Sequence, residues 1–120
     1  MTQPIIHITH HDDWALAQLS GEYCPGNLSK EGFIHCSKPG QVAYVAETFY
    51  AGQHGLVLLV IDPDRLQAEL HWEPCADKPD EIFPHIYGSL NLDAVTQVLD
   101  FNPDPDGHYI LPIINPREIK

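Results

Sequence analysis

Three short segments of the chain share a pattern in which a histidine and a hydroxyl-bearing residue stand two positions apart. The segments are Ile6-His7-Ile8-Thr9, Ile34-His35-Cys36-Ser37 and Pro84-His85-Ile86-Tyr87. Side chains two apart in a β-strand lie on the same face of the strand. Each strand would therefore present an imidazole beside a hydroxyl. If the three strands are neighbours, these side chains meet in one cleft, which is the arrangement of a small-molecule site.

Acidic residues near these segments extend the pattern. In His71-Trp72-Glu73 the same spacing pairs an imidazole with a carboxylate. Glu73 and Glu81 flank a segment rich in proline and aspartate, and either is a candidate general base or ribose-binding carboxylate. The opposing interpretation is that these polar residues form the solvated face of an antiparallel sheet. The sequence leaves both interpretations open.

Two other chemistries fit the sequence less well. Eight histidines in 120 residues are many, and neutral imidazole binds zinc and nickel. However, the sequence contains no His-Glu-x-x-His string or other ordered ligand spacing, so no metal ligand is predicted and a His-centred metal enzyme stays an alternative. Cys36 is not expected to be a nucleophile activated by His35, because adjacent strand residues point to opposite faces. We expect Cys36 to be a small buried residue.

Charge and composition exclude several classes of partner. Six basic residues against seventeen acidic residues give a net charge of −11. Nucleic acids and anionic membranes are bound largely through lysine and arginine, so neither is an expected partner. The longest apolar run, 56–61, is far shorter than the ~20 residues that span a bilayer. Three cysteines without a CxxC string, and no signal-peptide pattern, predict reduced thiols and a cytoplasmic location.

The elements that must position these residues indicate one α+β domain over 1–120. Strands are predicted at 5–9, 33–37, 56–61, 69–73, 82–87, 96–101 and 109–111, helices at 14–19 and from about 38 to 50, a short helical segment at 92–94, and loops at 24–30 and 74–80. The run 56–61 lacks polar alternation, which is typical of a central strand covered on both faces. Pro84 predicts an edge strand or a bulge at 82–87.

Several longer strings, taken in order, resemble a known family. They are Ile6-His-Ile-Thr, Glu31-Gly-Phe-Ile-His-Cys-Ser37, Leu56-Val-Leu-Leu-Val-Ile-Asp62, Trp72-Glu73 and Phe83-Pro-His-Ile-Tyr-Gly-Ser-Leu-Asn-Leu92. On these strings the chain is identified as a member of the small bacterial family of domains of unknown function numbered 952. The fold of that family is similar to the ADP-ribosyltransferase catalytic core, a split, mostly antiparallel β-sheet with a cleft for a nicotinamide dinucleotide.

The resemblance implies a divergent ADP-ribosyltransferase-like enzyme that binds a nucleotide, either NAD or ADP-ribose. His7 looks like the first-strand residue that meets the ribose in that superfamily, and His35 with Ser37 looks like the later pair beside the nicotinamide. The third motif, an acid, has no clear counterpart, and Glu73, Glu81 or the pair His85 and Tyr87 would stand in for it. The alternative implied by this gap is a non-catalytic binding module that reuses the fold.

These considerations define the expected site. The predicted catalytic residues are His35, Glu73 and His85, and the predicted cofactor-binding residues are His7, Thr9, Ser37 and Tyr87. NAD is the cofactor that the resemblance suggests. The sequence does not predict an oligomeric state.

Overall fold

The computed structural model describes residues 3–75 and 78–112 of the chain. Its helices are α1 (His11–Ser20), α2 (Gly26–Glu31) and α3 (Val42–Phe49). Its strands are β1 (Ile5–His10), β2 (Glu22–Tyr23), β3 (Ile34–His35), β4 (Leu56–Ile61), β5 (Glu69–Cys75), β6 (Lys78–Tyr87), β7 (Leu90–Asn91) and β8 (Val95–Phe101). Single 3₁₀ turns lie at Pro39–Gln41, Pro63–Arg65 and Leu92–Ala94. The strands described pair antiparallel, so the predicted α+β class is confirmed.

The first sheet has the strand order β1-β4-β8, with β4 in the middle. Every residue of β4 is buried, which confirms the prediction of a central strand covered on both faces. Trp14 and Ala17 of α1 pack in the cluster on one face, and Val42 and Ala46 of α3 pack in the cluster on the other. The unbroken apolar composition of β4 follows from this two-sided burial.

The second large sheet has the order β3-β6-β5, and a small third sheet pairs β2 with β7. The loop predicted at 74–80 is wrong for most of its length, because β5 runs to Cys75 and β6 begins at Lys78. Pro74 pairs with Ile82 in the ladder, and the register shifts between Pro74 and Cys75. This irregularity accommodates the proline, so cross-strand pairing overrides the local turn signal.

Pro84 lies in the central strand of this sheet, so the predicted edge strand or bulge at that position is wrong. Its carbonyl accepts a hydrogen bond from the Cys36 N–H at 3.0 Å. Residues of one antiparallel pair exchange two such bonds, and proline has no N–H with which to return the second. The N–H that Pro84 lacks would have bonded to the β3 side of the strand. The ladder between β3 and β6 ends there, at His35.

Beyond His35 the chain crosses to the first sheet. The Ile6 N–H donates to the Ser37 carbonyl at 2.8 Å, and the Ser37 N–H donates to the Ile6 carbonyl at 2.7 Å. This bridge between Ile6 and Ser37, called the seam below, joins an edge of the first sheet to an edge of the second. The result is a split sheet, as the family resemblance implies.

Other differences from the predicted elements are local. Residues 24–30, predicted as a loop, contain most of α2, and the two-residue strands β2 and β7 are too short to leave a periodic pattern. The strand predicted at 109–111 is irregular chain. Tyr109 is buried there because its ring packs on Phe101 and its hydroxyl donates to the carbonyls of Tyr50 and Gln53 at 2.7 and 2.8 Å.

No helix in the described part of the chain is long and apolar enough to cross a membrane.

The two-sided burial of β4 yields a stability prediction. Leu58 is fully buried, whereas Leu19 of α1 is 86% exposed. Leu58→Ala should lower the free energy of unfolding by about 2–5 kcal/mol through lost burial and a residual cavity, and Leu19→Ala should change it by less than about 0.5 kcal/mol. Urea denaturation of both variants measures these changes, and equal effects would contradict the described core.

Candidate functional site

A cavity of about 320 Å³ lies beside the seam and is called the main cavity below. Its walls come from β1, residues 35–37, β6 and α3. Four predicted site residues, His7, His35, Ser37 and His85, line it. The rest of the lining is largely aromatic and apolar, with Tyr44, Val45 and Phe49 from α3 and Phe83 from β6. The structure thus brings three of the eight histidines to one concave surface.

Three predicted site residues stand outside that wall. Glu73 and Tyr87 lie behind His85 and contact it or each other without lining the main cavity. Thr9 lies on the same face of β1 as His7 but lines a neighbouring cavity. Glu81, the other candidate acid, forms an ion pair with Lys78 at 3.5 Å and accepts a hydrogen bond from the Gln41 amide. Glu81 is therefore engaged at the end of the hairpin.

His7 is held by two hydrogen bonds at the seam. Its side chain is almost completely buried, with Nδ1 2.6 Å from the His35 carbonyl oxygen and Nε2 2.7 Å from the Tyr23 hydroxyl. Burial lowers the pKa of His7 to about 4, because the charged imidazolium loses its hydration. The ring is therefore neutral at pH 7. Since a carbonyl only accepts, Nδ1 carries the hydrogen and Nε2 is an acceptor.

This tautomer determines the rest of the network. Tyr23 must use its single hydroxyl hydrogen to donate to His7 Nε2. Thr9 Oγ1 lies 2.9 Å from the Tyr23 oxygen, so the threonine hydroxyl donates to the tyrosine. Burial raises the pKa of Tyr23, which keeps its hydroxyl protonated. The chain of bonds from Thr9 through Tyr23 and His7 to the His35 carbonyl is complete and uncharged.

His85 belongs to a second network, on the face of the β3-β6-β5 sheet. In the register, His85 lies opposite His35 on one side and His71 on the other. Glu73, two residues beyond His71, shares their face and places Oε1 2.8 Å from His85 Nδ1. The Tyr87 hydroxyl donates to the same oxygen at 2.6 Å. These strands therefore build a carboxylate–imidazole pair from residues twelve positions apart.

The carboxylate of this pair is ionised. Hydrogen bonds from Tyr87 and then from His85 lower the pKa of Glu73, because both stabilise the charged form. The same bond raises the pKa of Tyr87, since a phenolate beside a carboxylate is unfavourable. An ionised carboxylate only accepts, so His85 Nδ1 carries a hydrogen. In the neutral ring, Nε2 of His85 is left with a lone pair.

That second nitrogen has no partner. His85 is 3% exposed, its ring stacks on Phe33 with centroids 4.3 Å apart, and it meets the His35 ring edge-on at 5.2 Å. Among the described residues, Nε2 is the one buried side-chain polar atom without a hydrogen-bond partner. Leaving a buried acceptor unsatisfied costs about 1–3 kcal/mol. A hydrogen-bond donor placed within reach of Nε2 would remove that cost.

The other polar residues of the main cavity are less constrained. The partly exposed ring of His35 contacts Glu31 of α2, with Nε2 3.0 Å from Oε2. Cys36 is buried, and burial raises the pKa of its thiol, so the expectation of a small buried residue is confirmed. Cys24 and Cys36 are free thiols, and the side chain of Cys75 lies outside the described residues. Within the described ranges, no three His, Cys, Asp or Glu side chains converge as a metal site.

Sequence reasoning did not single out the apolar lining of the main cavity, nor Phe33 and Tyr23, which contact His85 and His7. Phe33 stands two positions before His35 in the strand predicted at 33–37, so the spacing rule used for the histidines indicates its position, although the observed strand begins at Ile34. Tyr23 lies in a two-residue strand far from His7 in sequence, and no local pattern marks it. Long-range pairing alone brings Tyr23 to the seam.

The buried neutral ring of His7 yields a pH prediction. Unfolded chains bind a proton on His7 near pH 6.5, whereas the folded protein does so only near pH 4. Its contribution to the free energy of unfolding is complete above pH 6.5 and falls by up to about 1.4 kcal/mol per pH unit between pH 6.5 and 4. Denaturation at several pH values should show this loss, and His7→Gln should flatten it. NMR titration provides the second test, in which a His7 ring that protonates near pH 6.5 would contradict the assignment.

The chain is similar to a protein of known structure. A crystal structure of protein CC0527 from Caulobacter crescentus superposes with a TM-score of 0.81, at 31% identity over 91% of this chain and 95% of that chain. Its solution NMR structure gives a TM-score of 0.77 at 30% identity, over 89% and 91% of the two chains. A comparison with curated proteins finds no match.

Residues 8–98 match a family described as protein of unknown function, DUF952. The comparisons thus confirm the family resemblance seen in the sequence, while its ADP-ribosyltransferase part receives no support from them. The match spans most of the chain and includes His35, Glu73 and His85. The chain belongs to the DUF952 family.

Proposed function

We propose that the main cavity binds a small nucleoside-like molecule and that His85 is its hydrogen-bonding and proton-transfer group. One observation carries the proposal: His85 lines the cavity, donates through Nδ1 to Glu73, and has a buried Nε2 without a partner. A cleft with few convergent polar groups in an apolar wall is typical of small-molecule sites. The proposal makes His85 the group that meets an N–H or O–H of the ligand.

The size and walls of the cavity favour a planar ring as the bound group. A volume of about 320 Å³ is at the lower end of the range of ligand pockets, which favours one ring system over a whole dinucleotide. Tyr44, Phe49 and Phe83 supply aromatic contact area. NAD and ADP-ribose, the ligands implied by the resemblance, contain such rings, and they are the first nucleotides to test.

Charge limits how much of such a nucleotide the main cavity holds. Lys78 is the basic residue among its described wall residues, and it lies over the Tyr44 ring at 4.8 Å while pairing with Glu81. Pyrophosphates are usually bound by arginine, lysine or a helix N-terminus. We therefore place the ring of the ligand in the cavity and any phosphates at its mouth, towards solvent.

The Glu73–His85 pair gives this site the means for proton transfer. A proton taken from a ligand O–H or N–H by Nε2 would leave an imidazolium whose charge Glu73 balances at 2.8 Å. General acid–base catalysis of this kind contributes about 10²–10⁴-fold. In an ADP-ribosyl transfer from NAD, the acceptor oxygen would bond to C1′ of the ribose as the bond to nicotinamide breaks, nicotinamide would leave as the neutral base, and His85 Nε2 would take the proton of the acceptor. Tight binding without turnover would instead favour the alternative of a non-catalytic binding module.

Ligand binding is testable by thermal unfolding in the presence of NAD, ADP-ribose, adenosine or nicotinamide riboside. Ligand at one hundred times its dissociation constant stabilises the fold by about 2.7 kcal/mol, a shift of several degrees for a domain of this size. His85→Gln should reduce the shift strongly, because it removes the Nε2 acceptor. His11→Gln, at an exposed position of α1, is the matched control and should retain the wild-type shift. No shift with any of the four compounds at millimolar concentration would refute the proposal.

Removing the charge of Glu73 tests the proton-transfer part separately. Glu73→Gln keeps a hydrogen-bond acceptor for Tyr87 but no longer balances an imidazolium. The hydrogen bond from His85 Nδ1–H should weaken in Glu73→Gln, seen by NMR as an upfield shift of the Nδ1 proton, because a neutral amide oxygen is a weaker acceptor than a carboxylate. Glu69→Gln is the matched control, since Glu69 lies on the same strand but contacts His71. An Nδ1 proton resonance that stays unchanged in Glu73→Gln would show that the pair does not couple.

A further inference from the structure

A second cavity, of about 280 Å³, adjoins the main cavity. Four residues, His7, Ile8, His35 and Tyr50, line both, so the two cavities are neighbours. The remaining walls of the second cavity come from Thr9, His10, Asp13, Tyr23, Pro25, Gly26 and Ile34. We propose that the second cavity binds the sugar of the same ligand through vicinal hydroxyl groups. This inference rests on the proposed function of the main cavity.

The inner wall of the second cavity offers hydrogen-bond acceptors. Thr9 and Tyr23 are both about 4% exposed, and their hydrogens are committed in the chain that ends at His7. Each oxygen keeps lone-pair capacity, and Thr9 Oγ1 accepts from no other residue in the network described above. A ligand hydroxyl at this wall therefore has to donate. The tautomer of His7 sets this requirement, because it directs the Tyr23 hydrogen away from the ligand.

The outer wall of the second cavity also offers hydrogen-bond acceptors. Asp13 lies in the first turn of α1, with its carboxylate 60% exposed at the edge of the cavity. His10 directs Nε2 to the Gln53 amide oxygen at 2.7 Å, which leaves Nδ1 on the side of Asp13, 4.0 Å from Oδ2. In nucleotide-binding proteins, carboxylates commonly accept hydrogen bonds from the hydroxyls of a ribose. Asp13 can accept from such a hydroxyl while Thr9 accepts from its neighbour.

Charge argues against a phosphate in the second cavity. Its described wall residues include no lysine or arginine, and Asp13 is acidic. A sugar diol is neutral, and it supplies the two donors that the wall lacks. The geometry therefore divides the ligand, with the ring beside His85 and the sugar beside Thr9 and Asp13.

The test compares adenosine with 2′,3′-dideoxyadenosine, which lacks both hydroxyls of the diol. Isothermal titration with the wild-type protein should show at least tenfold tighter binding of adenosine. Asp13→Asn and Thr9→Val should each weaken adenosine binding several-fold and leave dideoxyadenosine binding unchanged. Asp12→Asn is the matched control, because Asp12 is fully exposed in the same helical turn and lines neither cavity.

The possible results separate the inference from the proposed function. If the wild-type protein binds the two nucleosides with equal affinity, and His85→Gln binds neither, the sugar subsite is overturned. The main cavity then remains as the site of the ring. Adenosine that fails to bind at millimolar concentration also overturns the subsite, and the titrations with NAD and nicotinamide riboside then decide whether the proposed function stands. A diol-dependent gain that Asp13→Asn and Thr9→Val both abolish supports the subsite.

Discussion

The two larger sheets meet through a short stretch of backbone, where Ile6 and Ser37 exchange hydrogen bonds of 2.8 and 2.7 Å. The buried His7 reinforces this contact, because its Nδ1 donates to the carbonyl of His35 from the adjoining strand. Pro84 ends the ladder between β3 and β6 just beside it, so the chain is free to change sheets there. The main cavity lies at this junction, with Ile6 and Ser37 among its lining residues.

The seam also separates two kinds of histidine. His7 is neutral, with both nitrogens satisfied, and it serves to hold the strands and orient Tyr23. His85 has one nitrogen bound to Glu73 and one unsatisfied. A satisfied buried imidazole is a structural group, whereas an unsatisfied one carries a cost that a ligand can relieve. This difference, rather than the number of histidines, is the reason we propose His85 as the residue that meets the ligand.

Much of this arrangement could be predicted from the sequence, because it depends on local periodicity. The two-residue spacing placed His7 and Thr9 on one strand face, and the apolar run 56–61 marked the central strand. Tyr23 could not be predicted, since it reaches His7 through the pairing of two-residue strands. The central position of Pro84 was not predicted. The N–H that proline lacks would be needed only for a bond to the β3 side, where Cys36 donates to the Pro84 carbonyl. Pairing between distant segments leaves no such local signal.

The account depends most on the protonation of His85. The ¹⁵N chemical shifts of its ring, measured at neutral pH with and without adenosine or NAD, report which nitrogen carries the hydrogen. We predict a protonated Nδ1 and a pyridine-like Nε2 in the free protein, with the Nε2 resonance shifting when the ligand donates to it. A free protein with the hydrogen on Nε2, or an Nε2 resonance that does not move at saturating ligand, would contradict the account.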